Sequence, residues 1–219
     1  MHPAGDPLCP QRHGPDFKKK TLRAAEQDRP DVLRARRKWR RSQSGFDPAR
    51  LVFLDESAAK TNLTRLRGRA PRGRRLYAKA PHGHWRTTTM ISSVRLDGST
   101  ACMTIEGATD TAVFQAYVRS ILIPSLRPGD IVVMDNLGPH KNEHTVQLIE
   151  QAGASVRFLP AYSPDFNPIE MMWSKIKALL RAAEARSAEQ LQHAIGQALL
   201  RVTPQDAAHW FAACGYSII

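Results

Sequence analysis

The chain of 219 residues contains little cysteine and no long hydrophobic run. Its three cysteines, Cys9, Cys102 and Cys214, are odd in number and widely separated, which fits neither a disulfide framework nor a zinc site. No stretch approaches the roughly 18 apolar residues that cross a bilayer, and the N-terminus lacks the apolar core of a signal peptide. These absences argue against a membrane protein and predict a soluble, cytoplasmic one.

Two common catalytic motifs are also missing from the sequence. There is no Gly-x-Ser-x-Gly elbow, and no cysteine has an obvious partner base, so serine or cysteine hydrolysis finds little support. The phosphate-binding pattern Gly-x-x-x-x-Gly-Lys is absent as well, and ATP is therefore not implied.

Acidic residues are few, and the net charge is +12, with 32 Lys and Arg against 20 Asp and Glu. Residues 60–86 carry nine basic side chains and no acidic one, whereas residues 87–219 are close to neutral. Charge runs are often only solvated surface, but this density favours contact with the phosphates of a nucleic acid. The predicted DNA-binding residues are Lys60, Arg65, Arg67, Arg69, Arg72, Arg74, Arg75, Lys79 and Arg86.

Short apolar runs alternate with helical periodicity along the rest of the chain. Strands are predicted at residues 50–56, 87–96, 99–106, 130–136 and 155–159. Helices are predicted at residues 113–122 (ended by Pro124 and Pro128), 143–152, 167–183, 187–202 and 204–213. Three antiparallel strands followed by βαβ units give an α/β fold, a mixed five-stranded sheet with helices on both faces.

The first 48 residues differ in composition from the remainder. Residues 1–16 are rich in proline and predict an irregular arm, and residues 31–41 form either an exposed basic helix or a linker. We therefore divide the chain into a basic arm, residues 1–48, and a folded domain, residues 49–219.

Three carboxylates stand out by their position. Asp55 and Asp135 each follow four apolar residues at the end of a predicted strand, where ligands bind in open α/β sheets. Each of them could instead cap a loop or pair with an arginine. Glu170 lies in the first turn of the predicted helix 167–183, where it could merely close a capping box. The side chain of Glu56 should point to the face of the strand opposite to that of Asp55.

Two aspartates and one glutamate, without histidine or cysteine at ligand spacing, make an all-oxygen site. Such donors suit Mg²⁺ or Mn²⁺, and two ions at one site would support displacement at a phosphodiester. Asn136 and His140, which follow Asp135, are candidates for orienting substrate. For His140, a hydrogen-bonded loop histidine is the alternative.

Several segments together resemble the DDE transposases of bacterial insertion sequences, in the branch related to mariner elements. Between Asp135 and Glu170 lie 34 residues, similar to the interval of that branch. The resemblance implies a ribonuclease-H-like fold and a catalytic, metal-binding triad of Asp55, Asp135 and Glu170. It also implies that residues 49–219 form the catalytic domain, and that a homodimer cleaves double-stranded DNA and transfers its strands. The segments that carry it are LVFLDES, RGRAPRG, PHGHWRTTT, DIVVMDNLGPHK and FLPAYSPDFNPIEMMWSKIK.

Residues 1–50 show no helix-turn-helix pattern of the kind that usually begins such transposases. We therefore expect a second reading frame, normally joined by frameshifting, or a fragment. Two further hypotheses stay open, a non-catalytic DNA-binding or regulatory fragment and a structure-selective nuclease of the same fold.

Overall fold

The structure is a computed structural model that describes residues 24–136 and 138–216. The predicted irregular arm of residues 1–16 and Cys9 lie outside the described residues. In the described ranges, no helix combines the length and the apolar character needed to cross a membrane.

Five strands form one mixed sheet in the order β3-β2-β1-β4-β5. Strand β1 pairs antiparallel with β2 and parallel with β4, β3 is antiparallel to β2, and β5 is parallel to β4. The strands are β1 (Leu51–Lys60), β2 (Thr87–Arg95), β3 (Thr100–Glu106), β4 (Ile131–Met134) and β5 (Ser155–Phe158).

Helices cover both faces of this sheet. The regular helices are α1 (Pro30–Ser42), α2 (Thr111–Tyr117), α3 (Ile123–Ser125), α4 (Glu143–Gln151), α5 (Pro168–Ala183), α6 (Ala188–Leu199) and α7 (Pro204–Ala213). The predicted mixed five-stranded sheet with helices on both faces is thereby confirmed.

The alternation of side chains along β1 divides the core in two. Leu51 and Phe53 point to the face that packs against α5, α6 and α7, whereas Val52 and Leu54 point to the face that packs against α2 and α4. All four side chains are fully buried. The central strand therefore reads as a continuous apolar run because it is covered on both sides.

Strand β1 is longer than its predicted range of residues 50–56. Its parallel pairing with β4 stops at Phe53, but its antiparallel pairing with β2 continues to Lys60. The expectation that Asp55 ends the strand was therefore wrong, since only the pairing with β4 stops before Asp55. The apolar run in the sequence predicts only the fully buried part of β1, whereas the hydrogen bonds of β1 to β2 continue beyond that run.

The predicted end of the helix before Pro124 was also wrong. Asp110 caps α2 as predicted, its side chain accepting a hydrogen bond from the Val113 backbone N–H at 2.8 Å. A π-helical turn, Val118–Leu122, then leads into α3, which contains Pro124 in its first turn. The wider turn accommodates a residue that lacks an N–H and would clash with the preceding turn of a regular helix.

Helix α1, within the predicted basic arm, contacts the predicted catalytic domain. The Nε1–H of its Trp39 donates to the hydroxyl of Tyr216 at 3.2 Å, and that hydroxyl donates to the Phe166 carbonyl at 2.8 Å. Val32 and Trp39 are the two buried side chains of this helix. Of the two possibilities left open for this segment, the structure has a helix, and it packs onto the main core.

A buried ion pair joins Arg95 at the end of β2 to Asp130, just before β4. Arg95 Nη1 lies 3.2 Å from Oδ1 of Asp130, and its Nη2 contacts Oδ2 and donates to the Ser125 carbonyl. The Arg127 backbone N–H donates to Asp130 at 2.6 Å. Both side chains are less than a tenth exposed, so each charge depends on the other.

We expect Asp130→Ala to lower the free energy of unfolding by about 3–5 kcal/mol, because it leaves the Arg95 charge buried and unpaired. Urea unfolding followed by circular dichroism would measure this. The matched control is Glu106→Ala, which removes one side of an exposed pair with Arg86 and should change stability by less than about 1 kcal/mol. Equal effects of the two substitutions would contradict the prediction.

Candidate active site

The three predicted carboxylates line one cavity of about 430 Å³ at the edge of the sheet where β4 ends. Asp55 comes from β1, Asp135 directly follows β4, and Glu170 lies in the first turn of α5. The remaining wall is formed by the loop of residues 159–167 between β5 and α5. The structure thus brings together side chains that are up to 115 positions apart in the sequence.

Asp55 reaches this cavity because of the register of β1. It shares the face of Phe53, towards α5, and lies beyond the last residue that pairs with β4. Its Oδ1 accepts a hydrogen bond from the Glu56 backbone N–H at 2.8 Å. This contact fixes one carboxylate oxygen while the side chain still lines the cavity.

Glu170 occupies the third position of α5, but the capping box that would have given it a purely structural role is not formed. The N-cap residue, Asn167, makes no side-chain hydrogen bond to the helix start. Instead, Asn167 and Glu170 both line the cavity, and the buried Oδ1 of Asn167 has no hydrogen-bond partner among the described residues. An acceptor is therefore available beside the carboxylates.

The electrostatics of the site show that its carboxylates interact. Burial and the nearby charge of Glu170 raise the pKa of Asp55 to about 7, with a smaller contribution from Asp135. Burial and Asp135 also raise the pKa of Glu170, which Lys177 opposes. Like charges in a partly desolvated cavity disfavour one another, and a bound cation would relieve this repulsion.

His140 lies behind Asp135 and is fully buried. Its Nδ1 is 2.6 Å from Oδ1 of Asp135, its Nε2 is 3.2 Å from Oε2 of Glu56, and its ring packs on Phe114 at 4.5 Å between centroids. Burial lowers the pKa of His140, but the two carboxylates outweigh it and raise that pKa to about 9. His140 thus contacts Asp135 and is not among the residues that line the cavity.

Glu56 was expected on the opposite face of β1 from Asp55, and its contact with His140 agrees with that alternation. Its link to the site was missed, because the spacing of the sequence does not show that His140 folds back between two carboxylates. Asn136 also stays beside the site, where its Nδ2 donates to the Leu159 carbonyl at 2.9 Å.

The loop of residues 159–167 supplies wall residues that sequence reasoning did not assign a role, among them Tyr162 and Ser163. Tyr162 has a φ of 55° and a half-exposed side chain, and left-handed backbone is uncommon for such a residue. Helix α1 holds this loop, because Arg36 donates to Ser163 Oγ at 2.7 Å and to both oxygens of Asp165. The only available signal was the segment YSPDFNPIE that carried the resemblance.

The nine predicted DNA-binding residues do not line the carboxylate cavity. They lie at the end of β1 and in the irregular segment that joins β1 to β2, and all are exposed. The base of this segment is closed by the Thr61 N–H, which donates to the Arg86 carbonyl at 3.1 Å. Arg86 pairs with Glu106, and Lys60 lies over the ring of Trp85.

Among the described residues, no group of three or more His, Cys, Asp or Glu side chains is arranged around a point that could hold a metal ion. The chemical type of the donors, the carboxylates of Asp55, Asp135 and Glu170, nevertheless suits a metal ion. Carboxylate oxygens are the ligands that Mg²⁺ and Mn²⁺ prefer. A bound cation would also stabilise the charged form of Asp55, whose pKa is raised.

The strand order and the helices on both faces define a ribonuclease-H-like fold, with carboxylates at the edge where β4 ends. A model of the DDE superfamily endonuclease family matches residues 50–192. The chain therefore belongs to the DDE superfamily of endonucleases.

Solved structures of Mos1 transposase share the fold at low identity. The strand transfer complex of Mos1 has a TM-score of 0.69 at 17% identity, covering 91% of this chain and 63% of that one. The Mos1 paired-end complex with the left transposon end has a TM-score of 0.68 at 18% identity, and it also covers 91% of this chain and 63% of that one. The Mos1 mariner paired-end complex with Mn has a TM-score of 0.66 at 17% identity, again covering 91% of this chain and 63% of that one.

This chain thus spans 63% of the length of these Mos1 structures. No curated protein sequence matches it.

We expect Asp55→Asn to stabilise the metal-free protein at pH 8. A raised pKa means that the folded state favours the protonated acid, so the stability due to this group is complete below pH 3.8 and is lost as pH rises through about 7. Removing the charge should add about 2 kcal/mol at pH 8 and almost nothing at pH 4, as measured by urea unfolding in the presence of a chelator.

Asp97→Asn is the matched control. Partial burial of Asp97 would raise its pKa, but hydrogen bonds from Ser99 outweigh this and lower it. This substitution should therefore not stabilise the protein at pH 8. A gain for Asp55→Asn that is independent of pH would contradict the electrostatic interpretation.

Proposed function

We propose that this chain is the catalytic part of a transposase of the mariner-related branch of bacterial insertion sequences. It would cut DNA at the ends of its element and join the freed ends to target DNA. The observation that carries the proposal is the convergence of Asp55, Asp135 and Glu170 in one cavity of a chain that belongs to the DDE endonuclease superfamily.

Asp55, Asp135 and Glu170 would hold two Mg²⁺ or Mn²⁺ ions, and the fit lies in their all-carboxylate donor set and mutual repulsion. When bound, such ions supply activation of the attacking oxygen and stabilisation of the leaving oxygen in an in-line displacement. Mos1 has been crystallised in a paired-end complex with Mn, which supports this choice of metal.

The reaction would proceed in two displacements at phosphorus. In the first, a water molecule loses a proton as its oxygen bonds to the phosphorus, and the bond from phosphorus to the 3′ oxygen breaks. The 3′ oxygen takes up a proton, so one strand end carries a 3′ hydroxyl and the other a 5′ phosphate. In the second, that hydroxyl attacks a phosphodiester of target DNA and loses its proton, while the 3′ oxygen of the target strand leaves and is protonated. The number of phosphodiester bonds is unchanged in the second step, so no external energy source is required.

The exposed basic segment would bind the DNA backbone. Phosphate contacts give affinity and position rather than sequence recognition, and this segment starts from the same strand that carries Asp55. Mos1 structures are complexes with paired transposon ends, so we propose that this chain also acts as a dimer on DNA.

We expect purified protein with Mn²⁺ to cleave a duplex that contains the genomic DNA flanking its coding sequence. Asp135→Asn should reduce the rate of cleavage at least 1,000-fold, a reduction of about 4 kcal/mol in transition-state stabilisation, because it removes a metal-binding charge. Cleavage is measured on end-labelled DNA in denaturing gels.

Asp97→Asn is the matched control for this assay, since Asp97 lies in the turn between β2 and β3 at the opposite end of the sheet, and it should cleave as the wild type does. Absence of cleavage by the wild type would favour the non-catalytic DNA-binding fragment. Cleavage that depends on DNA structure but not on the flanking sequence would favour the nuclease.

We also expect His140→Ala to weaken Mn²⁺ binding about 10- to 100-fold, because Asp135 loses the hydrogen bond that orients it. His140→Asn retains a donor near the position of Nδ1 and should recover most of the affinity. Calorimetric titration of Mn²⁺ and the Mn²⁺ dependence of cleavage both measure the effect, and urea unfolding reports any loss of stability separately. Equal Mn²⁺ affinities of all three proteins would refute the positioning role.

A further inference from the structure

A second cavity of about 670 Å³ lies beside the carboxylate cavity, between α1 and the end of β5. The two cavities share three wall residues, Asn136, Leu159 and Pro160. The carboxylate cavity and the second cavity are therefore adjacent. The volume falls within the range of about 300–1,000 Å³ that is usual for ligand pockets.

Two aromatic side chains line the second cavity, namely Trp39 of α1 and Phe46, whereas Phe158 packs on the face of the sheet that is covered by α2 and α4. The rings of Trp39 and Phe46 lie 5.6 Å apart between centroids at an angle of 48°. Trp39 is held by its hydrogen bond to Tyr216, so this wall is fixed before any ligand arrives. Flat apolar rings in a fixed arrangement provide surface on which another flat ring can pack.

Two cations stand at the rim of this cavity. Lys38 and Arg157 are both exposed, and no ion pair is formed by either side chain within the described part of the chain. The wall contains no acidic residue. The cavity therefore combines an aromatic interior with unneutralised positive charge, which is the combination that binds a base together with its phosphate.

The family match covers only half of the lining of this cavity, because the match begins at residue 50. The other half is supplied by α1 and the segment that follows it, namely Ala35, Lys38, Trp39, Ser42 and Phe46.

We propose that the second cavity holds an unpaired nucleobase of the DNA strand whose phosphate lies at the carboxylates. The proposal rests on the proposed function for the position of that phosphate. The base stacks on Trp39 and Phe46, and Lys38 and Arg157 contact the phosphates on either side of it. Since a paired base cannot enter a cavity, the site selects DNA that is single-stranded or unstacked next to the cut.

The test uses two fluorescently labelled probes in the presence of a chelator, a chain of ten thymidine nucleotides and a sugar-phosphate chain of ten abasic residues. Fluorescence anisotropy gives the dissociation constant of each probe. The ratio of the two constants reports the contribution of the bases, which we expect to favour the thymidine probe at least tenfold for the wild type.

Ala35→Phe should then reduce this ratio about tenfold, because Ala35 is an exposed wall residue of α1 and the added ring fills the cavity. Affinity for the abasic probe should stay unchanged. Ala182→Phe, at an exposed position near the end of α5, is the matched control and should leave both constants unchanged. Thermal unfolding verifies that both variants fold.

Replacing Lys38 and Arg157 together by alanine should weaken the binding of both probes by a similar factor and reduce its salt dependence. An unchanged ratio for Ala35→Phe would overturn the proposal, as would an equal loss for Ala182→Phe. If the ratio changes as expected but no DNA is ever cleaved, the base site stands and the proposed catalysis fails. If Asp135→Asn abolishes cleavage but Ala35→Phe leaves the ratio of dissociation constants unchanged, the proposed catalysis stands and the base site fails.

Discussion

The geometry of the site depends on the unequal pairing of β1 with its two neighbours. On one side the parallel ladder to β4 ends at Phe53 and Val133, while on the other the antiparallel ladder to β2 continues to Lys60. Asp55 is therefore held rigidly by one neighbour and left open towards the end of the other, where Asp135 emerges. A slip of one residue in this register would turn Asp55 to the opposite face and place Glu56 towards α5.

Local patterning was sufficient to predict most of this arrangement. The strands and helices follow from apolar runs and helical spacing, and the two aspartates follow from their position after apolar strands. The contact of His140 with Asp135 and Glu56 could not be predicted, because it depends on how a loop of irregular backbone folds back under the sheet. The π-helical turn before Pro124 was equally hidden, since a proline signals only that a regular helix is disturbed.

Contacts of α1 show a second limit of sequence reasoning. Its composition is dominated by basic residues, which suits an exposed helix or a linker equally well. Yet Trp39 reaches Tyr216, 177 positions away, and Arg36 reaches Ser163, 127 positions away. Two buried side chains, Val32 and Trp39, and the bidentate Arg36 hold the helix in place, although most of its other side chains are exposed. Through Ser163 and Asp165 this helix also holds the loop that forms one wall of the carboxylate cavity.

Two aspartates of the same sheet illustrate how function separates from stability. Asp130 enters the core at the end opposite to the site and is fully satisfied, with Arg95 on both oxygens and the Arg127 backbone N–H beside it. Asp55 is also largely buried, yet it faces Glu170 and Asp135, and its pKa is raised to about 7. A carboxylate that served the fold alone would be better placed beside an arginine. The fold tolerates Asp55 because stability is supplied elsewhere, and such a concentration of carboxylates is typical of a site that is completed by a cation.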